Sequence, residues 1–513
     1  MKLPLLLILF FTITFCSARV NQKVYQNGIV NDIAPTPDGG YILTGELYTN
    51  SNNKCFVMKL DSSGNPDFSN SYSDLLEFYS YGKKTISIPG SGYIFTGVMF
   101  HDTISNEEIT LSKCDNSGTL LWTKEYGNPF DDDEVGSILL TNDGILLGGH
   151  STGLGPGGED FYLLKTDSSG NLQWSNVFGS ARDERGIVLL PYQNGFVFGG
   201  YGKELTGNNN DLFLAFLDSA ANFNYAVAFE LTGNQVLKDI AVDLSGNIII
   251  AATTETTFNS PHALFIKLSS GGNIVWSKVL QNDYSIPHKI SVVPGGCIAV
   301  GETRTQLNHE NSFIIEMDDN GLISGENYFG DSTGLKLKSF FIKNDSLYLA
   351  GEYKKYGQQY SSVYINKYVR NDTTCNHYTR SSTFLDVFPS ISIHNWQTVI
   401  PATVEINSVV LGLNVPWNDS IVCDYNISTG ELYRDNSFII SPNPSHSNTV
   451  LILPFENKEV IVSVINVEGR VVNQFNTREG KILLSTEDLP VGVYTVQIIS
   501  KEITISKRLI IQH

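Results

Sequence analysis

Long hydrophobic runs are missing from this chain once its first residues are passed. After residues 5–15 no segment holds 18 continuous apolar residues, so no later membrane-spanning helix is expected and the mature chain reads as soluble. Positive charge is also scarce. Lys and Arg number 34 against 53 Asp and Glu, for a net charge of −19. Such a chain repels phosphate backbones, which argues against a nucleic-acid partner, and no polybasic stretch offers a grip on anionic lipid. The 9 His contain no His-Glu-x-x-His pattern and no visible metal cluster. Met numbers only 4, whereas Gly numbers 45, Tyr 24 and Phe 28. Glycine for turns and aromatics for pleated faces are β-sheet usage. Charged residues make up 17% and hydrophobic residues 41%, a balance that excludes global disorder.

What is present begins with an export signal. Met1-Lys2-Leu3-Pro4 precedes an apolar run over residues 5–15, broken only by Thr12 and Thr14, and Cys16-Ser17-Ala18 supplies small residues at its end. One basic residue, a short apolar core and a small-x-small exit describe a secretory signal peptide over residues 1–18, cleaved after Ala18. Five cysteines then remain: Cys55, Cys114, Cys297, Cys375 and Cys423. An odd count leaves at least one unpaired. The first three lie in predicted strands and are expected to pack as small hydrophobes. Cys375 and Cys423 bracket a separate segment and are the disulfide candidate in an oxidising compartment.

Residues 20–372 repeat one phrase seven times. A turn closing on glycine recurs at Gly40, Gly92, Gly144, Gly195, Gly246 and Gly296, with Ser346 in the seventh slot, at spacings of 52, 52, 51, 51, 50 and 50 residues. Each phrase reads as four short strands with tight turns after the first and third. In the third phrase, residues 137–140 lead to Asn142-Asp143-Gly144, then to Ile145-Leu146-Leu147-Gly148-Gly149. A loop follows, then Phe161-Tyr162-Leu163-Leu164-Lys165, the turn Asp167-Ser168-Ser169-Gly170-Asn171, and a strand containing Trp174. Asn-Gly and Asp-Gly tolerate positive φ, and the Asp carboxylate accepts backbone N–H groups across the turn. A period of this length marks a β-propeller blade or a related repeat.

The repeats resemble bacterial β-propeller repeat families and, more loosely, kelch. Gly148-Gly149, Gly199-Gly200 and the Asp-x-x-Gly-x-x-x-Trp phrase at residues 115–122 and 167–174 carry the resemblance. It implies an all-β fold over residues 19–372: a seven-bladed β-propeller. The seventh repeat lacks a fourth strand, and residues 20–27 read like a spare one that can close the ring; the structural alternative is a linear array, which would expose two sheet faces. Residues 373–434 form a β-rich connector or an extension of the propeller.

The last stretch, residues 435–513, is similar to the C-terminal sorting domain of type IX secretion cargo. Ser441-Pro442-Asn443-Pro444 opens it, followed by Val464-Ile465-Asn466-Val467-Glu468-Gly469-Arg470, by Leu489-Pro490-Val491-Gly492-Val493-Tyr494, and by Lys507-Arg508-Leu509-Ile510-Ile511. Two departures stand out: Ser445-His446-Ser447-Asn448 where the family carries Gly, and Asn466 where it carries Asp. Alternating runs at residues 460–464, 481–484 and 493–498 predict a small immunoglobulin-like β-sandwich. The resemblance implies partners: an outer-membrane translocon that reads the domain and an enzyme that removes it.

Two strings look catalytic. Gly149-His150-Ser151-Thr152-Gly153 fits a nucleophile elbow, and Gly153-Leu154-Gly155-Pro156-Gly157-Gly158 a dinucleotide fingerprint. Both chemistries need a helix next. Here a strand follows, which predicts a flexible loop instead. The loops between second and third strands, and between successive repeats, share one face of the fold. Around repeats two to four they carry Asp102, Glu107, Glu108, Asp131, Asp132, Asp133, Glu134, Glu159, Asp160, Asp183 and Glu184. Asp131, Asp132, Asp133, Glu134, Asp160 and Asp183 are candidate ligands for Ca²⁺; the alternative is a solvated acidic rim. The expectation is a secreted or surface-attached, non-enzymatic binding or adhesion module for an extracellular glycan or protein. The alternatives are an extracellular enzyme acting on polysaccharide or peptide and a structural component of a surface apparatus.

Overall fold

The computed structural model describes residues 19–25, 27–49, 53–74, 79–100, 106–128, 130–203, 207–257, 260–281, 284–304, 310–330, 334–354, 359–370, 377–378, 382–407, 410–415, 419–426, 439–441, 445, 447–452, 460–466, 470–479, 481–499 and 504–512. The described residues form antiparallel sheets, none closed into a barrel, with no helix among them. The chain divides into two compact units, residues 1–427 and 428–513.

The first unit contains seven five-stranded sheets. The third shows the plan. Asp133–Thr141, Gly144–Thr152, Glu159–Thr166 and Leu172–Gly179 pair in chain order. Second strands are buried along nearly their whole length, as in Tyr41–Leu47 and Gly144–Thr152, so apolar residues run continuously there instead of alternating. The Asp turns work as their sequence demands. Asp167 Oδ1 accepts the Ser169 and Asn171 N–H groups at 2.8 and 2.9 Å. Asp61, Asp115, Asp218 and Asp318 make the same pair of bonds. Asp243 makes them too, but between the first and second strands of the fifth sheet.

Each sheet packs on the next through its own apolar cluster. Ile42, Val57 and Tyr72 of the first sheet meet Phe95 and Cys114 of the second; further clusters join the second sheet to the third and so on to the seventh. The seventh, through Tyr25, Tyr348 and Ile365, packs on Val30, Leu43 and Phe56 of the first. The order of packing is therefore cyclic. The spare strand lies where the sequence places it: Arg19–Tyr25 pairs with Ser362–Val369 as the fourth strand of the seventh sheet. Tyrosines bolt neighbours together. Tyr25 Oη donates to the Gly64 carbonyl at 2.6 Å and Tyr72 Oη to that of Gly118 at 2.7 Å. A Cβ at Gly118 would stand 2.5 Å from the Phe68 ring, so this turn admits no larger residue.

Residues 377–426 are neither a separate domain nor an appendage on one side. They form a belt. His377–Tyr378 adds a fifth strand to the sixth sheet, Phe384–Asp386 to the fifth, Ser390–His394 to the fourth and Gln397–Val399 to the third. Val404–Asn407 then joins the second, Val410–Asn414 the first, and Asp419–Asn426 the seventh. The belt thus visits every sheet once, against the order of the repeats, and covers edges that would otherwise be open. Trp396 anchors it, buried among Phe161, Phe178, Phe213 and Phe223 at ring distances of 4.9–6.4 Å. Glu405 fixes the next stretch by accepting from Lys124 Nζ at 2.7 Å and Leu172 N–H at 2.6 Å.

The second unit holds two sheets. One joins Ile439–Ser441, Asn448–Ile452 and Lys481–Ser485; the other joins Val471–Thr477, Val460–Ile465, Gly492–Ile499 and Thr504–Ile511. Both contribute to one core through Leu451, Val462, Leu484, Tyr494, Val496 and Leu509. Tyr494 Oη donates to the Pro490 carbonyl at 2.7 Å, Gly492 opens its strand, and Lys507 is exposed. Arg508 pairs its backbone with Thr495. Pro442, Asn443, Pro444 and Gly469 lie outside the described residues. So does Cys375, so its expected disulfide with Cys423 falls there too. Cys55, Cys114 and Cys297 are buried free thiols, as expected, and burial pushes each up to about 12.

Candidate functional site

The first strands of the seven sheets stand side by side in cyclic order. Every one carries the same irregularity. Register against the second strand slips by one residue between Val30 and Asp32, Gly82 and Lys84, Val135 and Ser137, and Gly186 and Val188. It slips again between Leu237 and Asp239, Pro287 and Lys289, and Leu337 and Ser339. Each slip is a β-bulge that re-aims one residue. The bulged residues are Asn31, Lys83, Gly136, Ile187, Lys238, His288 and Lys338. Two positions earlier stand Ile29, Tyr81, Glu134, Arg185, Val236, Ile286 and Lys336. All fourteen are half-buried, while the residues between the two sets are fully buried. The half-buried sets therefore form two tiers on one side of the strands.

Charge on these tiers is mostly paired. Lys83 binds Glu134, and Arg185 binds Glu159 through both oxygens. Lys336 sits 3.0 Å from Glu310 and 3.3 Å from Glu352. Glu302 lies 3.5 Å from His288 and 3.9 Å from Lys338. Burial would raise the Glu302 carboxyl, but His288 and Lys338 outweigh it and bring it to about 2. Glu134 is held below its usual range against burial by Lys83 and His150. Beyond the tiers, Lys84 pairs with Asp32 at 3.8 Å and Lys289 with Asp239 at 3.4 Å. Burial lowers Lys84, while Asp32 and the more distant Asp239 pull it back up.

Tyrosines crowd the end of the sheets where first strands begin. Tyr48 stacks on Tyr360 at 5.3 Å, Tyr79 donates to Glu46 at 2.7 Å, and Lys83 lies over Tyr81 at 4.9 Å. Tyr284 receives Arg304 over its ring at 4.0 Å and bonds Glu302 at 3.2 Å. All of these tyrosines are half-buried, so each keeps a surface toward solvent.

The carboxylates expected from sequence fall in three places on this end. Asp131 and Asp133 lie together: Asp131 accepts from Asn128 Nδ2, and Asp133 from the Asn128 N–H at 2.9 Å. Asp132 accepts the Glu107 N–H at 3.0 Å. Asp160 and Asp183 lie with Glu184, and Glu134 stands on the inner tier. Asp133 and Asp160 are fully buried, and burial above all pushes each up to about 7. Among the described residues no group of three or more His, Cys, Asp or Glu is arranged to hold a metal ion.

The glycine string at residues 153–158 is a loop, as expected, but a tightly packed one. A Cβ on Gly157 would stand 1.8 Å from the Arg182 carbonyl, and one on Gly155 2.2 Å from Asp160 Oδ2. Its glycines answer close approach, not phosphate. Ser151 is wholly buried within a strand, so it presents no nucleophile. The sequence pattern did not single out Tyr81, Lys83, Arg185, Lys238, Tyr284, His288, Lys336 or Lys338. Their signal is a half-buried residue just inside each first strand, and it becomes visible only once the bulge is known.

Comparison with known proteins adds one firm assignment. Residues 440–512 match the family described as the secretion system C-terminal sorting domain. The chain thus carries the sorting domain of type IX secretion, an export signal to the cell surface or extracellular space. No curated protein matches the chain. Among solved structures, one is PorZ, an essential bacterial surface component of the type-IX secretion system of Porphyromonas gingivalis. The alignment spans 96% of this chain and 100% of that one, at 9% identity and a TM-score of 0.18, too low to bear on this chain. No described helix is long and apolar enough to cross a membrane.

Proposed function

We propose that this chain is a type IX secretion cargo whose residues 19–426 form a belted seven-bladed β-propeller acting outside the cell as a non-enzymatic binding module. The export half rests on the sorting-domain match at residues 440–512. Seven sheets packed in cyclic order, the seventh on the first, support the propeller. Binding is favoured over turnover by where the carboxylates lie. Asp160 and Glu184, neighbouring carboxyls on the face, are both raised mainly by burial. They are 0% and 1% exposed, so substrate cannot reach them.

Deleting residues 440–512 tests the export reading. The passenger should then accumulate inside the cell envelope, while the intact chain yields a surface or secreted product ending between residues 427 and 440. Secretion of the deleted form would overturn the reading. Incubating the purified passenger with polysaccharide and peptide panels tests the rest: saturable binding without product is expected, and product release would favour the enzyme.

A further inference from the structure

We propose that the tyrosine-lined face binds an acidic saccharide, with a pendant carboxylate or sulfate held at the mouth of the ring by Lys238 and Lys338. This deepens the binding-module reading and rests on the cyclic arrangement of the seven sheets.

Three observations converge. The first is an excess of positive charge at one spot. The bulged tier contains Lys83, Lys238, His288 and Lys338 and no carboxylate. Lys83 is neutralised by Glu134. Among the described residues, no carboxylate stands within ion-pair distance of Lys238. Lys338 has one, Glu302 at 3.9 Å, and burial brings His288 down to about 4, so near neutral pH two lysines face a single carboxylate. Burial above all lowers Lys238 from its usual range, with the charge of Lys338 adding to it and Glu302 opposing it. An oxyanion between the two lysines would relieve their repulsion.

The second observation is access. His288, Lys338 and Lys83 stand inside a ring of strands, yet their side chains are 18%, 24% and 26% exposed. Solvent therefore reaches the tier, and a slender anionic group can follow.

The third observation is the rim. Tyr48, Tyr79, Tyr81, Tyr201, Tyr284 and Tyr360 are half-buried at the same end of their sheets. Aromatic faces stack on the C–H faces of sugars, and tyrosine hydroxyls add polar contacts. On a chain of net charge −19, an acidic ligand needs such a local cationic spot to overcome the general repulsion. A uronic-acid or sulfated sugar matches aromatic rim and cationic centre together.

The test is calorimetric titration of the full chain. The probes are a uronic-acid tetrasaccharide, its neutral carboxyl-reduced counterpart, a sulfated tetrasaccharide and an acidic tetrapeptide. Saturable binding of one or both acidic sugars is expected, at least tenfold tighter than the neutral sugar or the peptide. Lys238→Met and Lys338→Met should each weaken it tenfold or more, and Lys113→Met should leave it unchanged. Equal binding in Lys238→Met, or a peptide that binds as well as the sugars, would overturn the proposal. Negative-stain imaging of the same samples separates the two readings. Rings without sugar binding refute the site alone; particles without a ring refute the fold on which it rests.

Discussion

The inner tier and the outer belt solve opposite problems with the same secondary structure. Inner strands are long and alike: Gly28–Pro35 is the shortest and Gly334–Lys343 the longest, each occurs once per repeat, and all bulge at one position. Belt strands are uneven, from the two-residue His377–Tyr378 to the much longer Asp419–Asn426, and share no turn motif. The first strands carry charge and aromatic surface in two half-buried tiers, whereas the belt leaves apolar side chains exposed. Phe388, Ile393 and Ile400 are 89%, 72% and 83% exposed. Repetition thus sets one bulged position seven times over, and in the proposed propeller those equivalent positions surround one centre. A belt cannot converge. It closes edges, and its stability comes from a few anchors.

The largest effect expected from this contrast is on Arg19–Tyr25, which belongs to both systems: it pairs with Ser362–Val369 on one side and Asp419–Asn426 on the other. Removing residues 19–27 should cost several kcal/mol, on the order of the lost burial of Val24 and Tyr25 with their strand. Denaturant melts of the purified passenger measure it. An unchanged midpoint would deny that the seventh sheet needs this strand.

Next comes Trp396→Ala, which empties a deep anchor of the belt. A loss of about 3–5 kcal/mol is expected for a buried aromatic, together with faster proteolysis within residues 377–426. A loss confined to a few tenths of a kcal/mol would mean that the belt is held evenly along its length.

Asp160→Asn sharpens the picture of the face. The Asp160 carboxyl, raised to about 7 in the folded protein, ionises at about 4 when unfolded. Between those values the folded state holds a proton that the unfolded state has released. Stability therefore falls as pH rises from about 4 to 7, by up to ~4 kcal/mol for this group. The amide keeps an acceptor for the Gly157 N–H and cannot ionise. The variant should be more stable than the parent at pH 8, indistinguishable at pH 4, and flatter in between. A parallel pair of pH–stability curves would refute the assignment.

The smallest effects are expected at the surface. Ile393→Ser should change stability by less than about 0.5 kcal/mol, as befits an exposed site, while lowering dye binding to exposed apolar surface. Millimolar Ca²⁺ should move the melting temperature by under about a degree, because the acidic residues sit in separate places with other partners. A rise of several degrees, lost in Asp131→Asn with Asp133→Asn, would restore calcium to the acidic face.

The repeated sheets and the sorting domain were legible in the sequence because their signals are local. An Asp carboxylate that bonds N–H groups two and four residues on, as Asp61 does, writes its turn in five letters. The belt was not legible. Gln397–Val399 is three residues long and pairs with Leu172–Gly179, more than two hundred residues earlier. No local pattern announces such a partner. The bulged lysines were hidden for a related reason: a bulge is a slip between two strands, and a single strand does not record it. The acidic loops drew attention by composition, yet Asp133 and Asp160 turned out to be interior groups.

The belt's last strand has a mechanical side. Asp419–Asn426 runs antiparallel to Arg19–Tyr25 with Asn426 opposite Arg19. A load applied at Asn426 against Arg19 therefore opens the pair from one end, breaking its hydrogen bonds in sequence, whereas shear would load them all together. Once that strand is free, the next under tension is the strand on the first sheet, then those on the second and the third. The belt comes away like a ripcord, one short strand per sheet, and each step bares one fresh sheet edge.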